Sequence, residues 1–192
     1  MVRSEIVHTL DSSFHMLRHF VEMTPVLAEQ LLGKGYTPTD LEESLQTPGS
    51  RFDAGFASSI DQLLDRLFTA STYEVHMGMN GNQNVHARVH AEQFVNGIGT
   101  AGIMAKAALS DAERSRLYLK KNRDALLWHL DVSELPRTGE FTLILKPATD
   151  HRIFITAFPG PPALPIPDHR MSKDLYDACR SFWDEYVFLH LD

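Results

Sequence analysis

Half of the prolines in this chain sit in one short run: five of ten fall within 159–167, PGPPALPIP. Proline fixes φ, lacks an N–H and clashes with a preceding helical turn, so the run can be neither a helix nor a central strand. It reads as an extended surface strap, ordered and pinned by Leu164 and Ile166. The segments on either side must then be separate elements, and their patterns differ. EFTLILK (140–146) and RIFITAF (152–158) are β-branched and aromatic runs joined by PATDH, which predicts an antiparallel hairpin. Beyond the strap the last segment starts at Ser172, and Leu175, Cys179, Phe182, Tyr186 and Leu189 recur at helical spacing, predicting a helix over 172–190.

Toward the amino terminus the apolar period is helical. Ile6, Val7, Leu10, Phe14, Leu17, Phe20 and Val21 form one stripe. Thr24-Pro25 and Thr37-Pro38 each offer a capping hydroxyl followed by proline at the first helical position, and Asp40 completes a capping box. Gly33 and Gly35 close the first of these helices, and Thr47-Pro48-Gly49 breaks the chain again. Ile60, Leu63, Leu64 and Leu67 mark another amphipathic helix. Residues 71–77 read as a short strand followed by the loop GMNGNQN. VHARVHAEQFV and Thr100–Leu109 read as helical, and Ser110 with Glu113 is a capping box that predicts a charged helix over 111–130. The expected fold is α+β, with a helical amino-terminal half (1–70) and, in 71–192, a small antiparallel sheet packed on helices, the two forming one compact unit.

Composition bounds the function. A 192-residue chain that is 43% apolar can bury a core, and 22% charged residues argue against a disordered or membrane-spanning chain. One cysteine, Cys179, excludes a disulfide framework or cysteine-rich zinc module; on an apolar helix face it reads as a buried, inert thiol. A net charge of -7 supplies no global basic field for nucleic acid or anionic lipid. The amino terminus lacks a secretory pattern, so the cytoplasm is the expected compartment and no membrane partner is expected. P-loop, G-x-G-x-x-G, G-x-S-x-G and EF-hand patterns do not occur, and no cofactor is expected.

Ten histidines stand out. His86 and His90, four apart, share one face if their segment is helical. Such a pair can serve acid–base catalysis on a phosphodiester, bind a metal with a third ligand such as His76 or Glu92, or simply line a solvated face. His15 and His19 repeat the spacing among Phe14, Leu17 and Phe20, where packing accounts for them. Lys106 is a candidate phosphate contact, and Arg116, Lys120 and Arg123, interleaved with Asp111, Glu113 and Asp124, form either an ion-pair-laced solvated face or a local phosphate-contacting stripe.

The string RIFITAFPG (152–160), closing a hairpin that begins TLILK, resembles the terminal strand of RNase toxins in the barnase and EndoU-like superfamily. The resemblance implies helices preceding an antiparallel sheet, an active-site threonine at Thr156, and a catalytic histidine for which His86 and His90 are the candidates. Strand alternation would turn Arg152, Phe154, Thr156 and Phe158 to one face, with Thr156 and Arg152 on phosphate and the two rings either stacking bases or packing under a helix. The leading expectation is a metal-independent ribonuclease, or a degenerate relative, acting on RNA. A non-catalytic interaction or regulatory protein with a protein partner, and a histidine-ligated metalloenzyme using His86, His90 and His76, stay open.

Overall fold

A computed structural model describes residues 3–20, 22–47, 49–77 and 81–192. Val21 of the apolar stripe, Pro48 of the chain break and residues 78–80 of the expected loop lie outside them. In chain order the elements are β1 (Ile6–Val7), α1 (Leu10–Met16), α2 (Pro25–Lys34), α3 (Pro38–Gln46), β2 (Arg51–Phe52), α4 (Ile60–Phe68), β3 (Thr72–Met77), β4 (Gln83–Arg88) and β5 (Gly99–Thr100). There follow β6 (Ile103–Ala105), α5 (Asp111–Arg114), β7 (Tyr118–Asn122), β8 (Ala125–Val132), β9 (Arg137–Thr138), β10 (Glu140–Pro147), β11 (Arg152–Pro159), α6 (Lys173–Glu185) and β12 (Tyr186–Leu191). The chain forms two compact units, Met1–Thr100 with Arg137–Pro162 and Ala101–Pro136 with Ala163–Asp192.

In the first unit the cap chemistry starts the helices where the sequence places it. The Thr24 hydroxyl accepts from Leu27 N ahead of Pro25, and Gly35 ends α2 in the left-handed region at φ 108°. Thr37 and Asp40 form a complete capping box on α3. Ser59 caps α4, whose Ile60, Leu63, Leu64 and Leu67 are all buried. They pack in a cluster with Val85, Ala87, Phe141, Leu143, Leu145, Phe154 and Ala157 from one face of a five-stranded sheet, ordered β1-β11-β10-β4-β3. Phe52, Phe56 and Phe141 join edge-on and stacked, with ring centres 5.5–6.2 Å apart. Each buried ring or leucine contributes about 1.5–3 kcal/mol, so this cluster carries most of the unit's stability.

The hairpin β10–β11 is antiparallel, as expected, but irregular. Ile144 faces Thr156 and Leu145 faces Phe154, leaving Ile155 as an extra residue on β11. A single inserted residue exchanges the faces of everything beyond it. Phe154 therefore enters the core at 0% exposure while Ile155 is 38% exposed. A three-stranded sheet, β2-β5-β9, completes the unit.

The second unit holds a four-stranded sheet, β6-β12-β8-β7, with β12 parallel to β8. Leu130, Val187 and Leu189 are buried in one cluster, and Leu127 and Trp183 of α6 in another. Part of the proline strap belongs here. The Trp183 indole N–H donates to the carbonyls of Leu164 and Pro165 at 3.1 Å, and Ile166 is half-buried beside it.

The α+β class is what the chain adopts, but several expected helices are strands. Residues 1–70 are not wholly helical, since β1 and β2 contribute to sheets, and the five-stranded sheet draws strands from residue 6 to residue 159. The VHARVH segment lies on β4 and the turn after it, because Val85 and Ala87 alternate into the core. Thr100–Leu109 holds β5, β6 and a short 3-10 turn. The capping box at Ser110 and Glu113 forms, yet α5 ends at Arg114. The remainder, 118–132, is the hairpin β7–β8, turning at Arg123 with φ 53°. Its period-two burial outweighs the helix-like spacing of its charges. Likewise α6 stops at Glu185, and Tyr186 and Leu189 lie on β12.

Two glycines are dictated by close approach. A Cβ at Gly97, where φ is +78°, would lie 2.5 Å from the Thr138 carbonyl oxygen, and one at Gly99 would lie 2.2 Å from that of Arg51. Gly97→Ala is expected to destabilise the first unit by about 1–3 kcal/mol from backbone conformation alone, with the clash adding to it. Urea unfolding followed by far-UV circular dichroism measures this, and an unchanged midpoint would refute it.

Candidate functional site

His86 sits in the middle of β4, directly opposite Thr142 of β10 and Glu74 of β3. Residues two apart on a strand share a face, so Asn84, His86 and Arg88 project from the side opposite Val85 and Ala87. Across the ladder, Glu140 lies opposite Arg88. The His86 Nε2 is 3.0 Å from Glu140 Oε2, and Arg88 Nε donates to the same oxygen at 3.3 Å. The cluster is graded in exposure: the His86 side chain is 12% exposed, Glu140 26% and Arg88 68%. The His86 hydrogen bond is the largest influence on Glu140 and lowers its pKa, the Arg88 charge adds to this, and partial burial opposes it. Glu140 is therefore a carboxylate at neutral pH, held between an imidazole and a guanidinium.

Beside this cluster the chain forms an open groove of about 650 Å³, lined by Val89, Phe94, Val95, Gly97, Arg137 and Gly139, among others. Val89 follows Arg88 and Gly139 precedes Glu140, and the two are joined by a Val89 N–H to Gly139 carbonyl bond of 3.0 Å. The groove thus opens where β4 and β10 carry the charged cluster.

The other expected site residues are dispersed. His90 is exposed in the turn beyond β4, so the helical i, i+4 face shared with His86 does not exist. His76, on β3, pairs with Glu74 at 3.3 Å. The Thr156 hydroxyl lies 3.7 Å from the sulfur of Met16, and Ala157 N donates to that sulfur at 3.2 Å. Arg152 is held by Glu5 at 2.7 Å and by Gln83 at 2.9 Å. The bulge at Ile155 separates Arg152 and Phe154 from the face of Thr156 and Phe158, and the Phe154 ring is buried in the core, where no base can reach it. Phe158 is half-buried, its ring 6.5 Å from that of His19. Lys106 belongs to the second unit, with its ammonium 4.7 Å from the Trp128 ring centre.

Sequence reasoning missed Glu140. It passed as the polar start of a strand, and only strand register, not spacing along the chain, brings it to His86. Among the described residues His86, His90 and His76 do not converge as ligands. The three-residue group that does is Asp124, Asp168 and His169, in the second unit. There Arg170 already occupies both Asp168 oxygens, at 2.8 and 2.6 Å, and drives the Asp168 pKa far down.

The second unit holds another histidine pair. His129 of β8 and His190 of β12 place Nδ1 and Nε2 2.5 Å apart, with ring planes within 9° and centres 4.8 Å apart. That combination describes two imidazoles edge to edge in nearly one plane, sharing a hydrogen bond. The gap suits a proton and is too short for a metal ion with two nitrogen bonds of ordinary length. His129 is 3% exposed, its Nε2 is buried without a partner among the described residues, and Tyr118 and Phe188 lie against its ring. An Nε2 without an acceptor is best unprotonated, so His129 donates from Nδ1 to His190. Burial, and then the charges of His190 and Lys120, lower the His129 pKa from 6.5 to about 4, with Asp131 opposing.

An imidazole that is hard to protonate when folded makes the unfolded chain the better proton acceptor. The second unit should therefore lose stability as pH falls from 6.5 toward 4, by up to about 3 kcal/mol. Both tryptophans, Trp128 and Trp183, belong to this unit. Tryptophan fluorescence in urea at pH 7.5 and 4.5 reads it directly, and His129→Phe should flatten that dependence. An equal pH dependence in the variant would refute it.

Comparisons with protein-family models, with curated proteins and with solved structures find no match.

Proposed function

We propose that the sheet face of the first unit is a metal-independent acid–base centre that cleaves RNA phosphodiesters. The observation that carries this reading is Glu140 Oε2 bound by both His86 Nε2 and Arg88 Nε. Metal-free cleavage at a ribose needs a proton acceptor for the 2′-OH, a donor for the leaving oxygen and a cation for the phosphorane charge. With Nε2–H donating to Glu140, the His86 lone pair is on Nδ1. That nitrogen takes the 2′-OH proton as the O2′–P bond forms. It returns the proton to O5′ as the P–O5′ bond breaks, leaving a 2′,3′-cyclic phosphate. Glu140 orients the ring and stabilises its protonated form, and Arg88, the most exposed of the three, meets the phosphate. The groove lined by Val89, Phe94 and Gly139 seats the neighbouring nucleotide. The RIFITAFPG string resembles RNase toxins, but the active-site threonine which that resemblance implies is not used in this mechanism. Thr156, committed to Met16, has no role in the reaction.

His86→Ala and Glu140→Gln should each lower cleavage of single-stranded RNA by about two to four orders of magnitude with the melting temperature kept within a few degrees. Arg88→Ala should lower it as well, and Thr156→Ala should leave it nearly unchanged. Activity should survive EDTA, produce cyclic phosphate ends and spare an all-DNA strand. Wild-type chain that leaves a broad RNA panel intact would overturn the proposal in favour of a non-catalytic interaction protein, and cleavage lost to chelator would replace it with a metal mechanism.

A further inference from the structure

Sheet edges carry unpaired backbone groups, and proteins blunt them with short strands, lysines, prolines, bulges or covering segments. Most edges here are treated this way. β1 is two residues long, and beyond it α1 meets the backbone of β11, where Ser12 Oγ donates to the Phe154 carbonyl at 2.8 Å. β7, an edge of the four-stranded sheet, carries Lys120 and Lys121. The terminal strand β3 is the exception. Its sequence, TYEVHM, contains no lysine, arginine or proline, and it pairs with β4 in unbroken register over all six positions. Each residue from Thr72 to His76 is exposed. Tyr73 and Val75, at 40% and 47% exposure, lie on one face, and Thr72, Glu74 and His76 on the other.

We propose that β3 is a self-association edge, at which two copies of this chain pair antiparallel about a twofold axis through Val75 and continue the sheet from one copy into the other. Facing residues of an antiparallel pair lie on the same face, so a twofold axis normal to the sheet must pass through a residue. The two registers with the fullest overlap centre on Glu74 or on Val75. Centring on Glu74 sets two carboxylates against each other. Centring on Val75 sets valine against valine, and Glu74 of each copy against His76 of the other. The second register gains two complementary pairs where the first meets like-charge repulsion. A single strand pair buries less than a standard interface, so association is reversible and concentration-dependent.

Sedimentation of the full chain over a concentration series should show its mass rising from 21.7 kDa toward twice that value. Val75→Lys, a substitution at an exposed position, should hold it monomeric at every concentration with an unchanged melting temperature. Glu74→Lys should weaken association, and Glu74→Lys with His76→Glu should restore it, because the exchange recreates both pairs. Val75→Cys should yield a covalent dimer with a short thiol-to-thiol cross-linker, since facing Cβ atoms lie about 4.5–5.5 Å apart, whereas wild-type chain, whose Cys179 is buried, should not. A chain monomeric at every concentration would overturn the proposal, as would a dimer indifferent to Val75→Lys or one that Val75→Cys fails to cross-link.

Discussion

The extra residue at Ile155 decides how the first unit is built. β11 must bury Phe154 beside Leu145 and, three residues later, bury Ala157 beside Leu143. In an unbroken strand, residues 154 and 157 face opposite ways, so both can enter one core only if a residue is inserted between them. Ile155 is that residue, and its 38% exposure is the local cost. The consequence reaches the sheet's other face. Thr156 and Phe158 are turned there together with Asn84, His86 and Thr142, while Arg152 stays on the core side and is tied to Glu5 and Gln83. The bulge thus separates residues that a simple alternation groups together.

Cap chemistry was legible because it is local. Thr24, Thr37 and Ser110 each accept the backbone bond that their sequence context predicts, and Ser59 and Ser172 cap their helices in the same way. The hairpin 140–158 was legible for the same reason: two strongly β-forming runs flank a short turn. The failures lie where local signals conflict. In 111–130 a correct helix start is followed by charges at helical spacing, but Leu127, His129 and Ala125 are buried at alternate positions, and tertiary burial overrides the charge pattern. The β7–β8 turn at Arg123 places a bulky residue in the left-handed region, which no turn rule would have favoured.

The site was half legible. His86 could be chosen as a candidate, but its partner could not. Glu140 lies fifty-four positions away and reaches His86 only through the β4–β10 register. The His129–His190 pair is likewise a product of register, here between two parallel strands sixty-one positions apart. Spacing finds partners within one element; partners across a sheet need the strand order, which the sequence does not reveal. The two histidine pairs also differ in what surrounds them. His86 has a carboxylate 3.0 Å from its Nε2, whereas His129 has a second imidazole and an apolar pocket, which disfavour charge. One is a charged cluster on a sheet face, and the other is a fixed hydrogen bond that joins β8 to β12.

The same local view applies to the net charge of -7. Global charge governs long-range attraction, but a phosphate site is governed by the charges within a few ångströms of it. Several carboxylates near the structured clusters are already matched: Glu140 by Arg88, Asp53 by Arg137, Asp168 by Arg170 and Glu5 by Arg152. The acidic excess therefore belongs largely to exposed positions, where salt screens it within about 10 Å. What an anionic ligand meets at the sheet face is an exposed guanidinium beside a carboxylate already engaged by two donors. On the proposed nuclease reading, the acidic excess would slow the approach of a polyanion while Arg88 supplies the local contact, and the ionic strength of the medium would decide which of the two effects prevails.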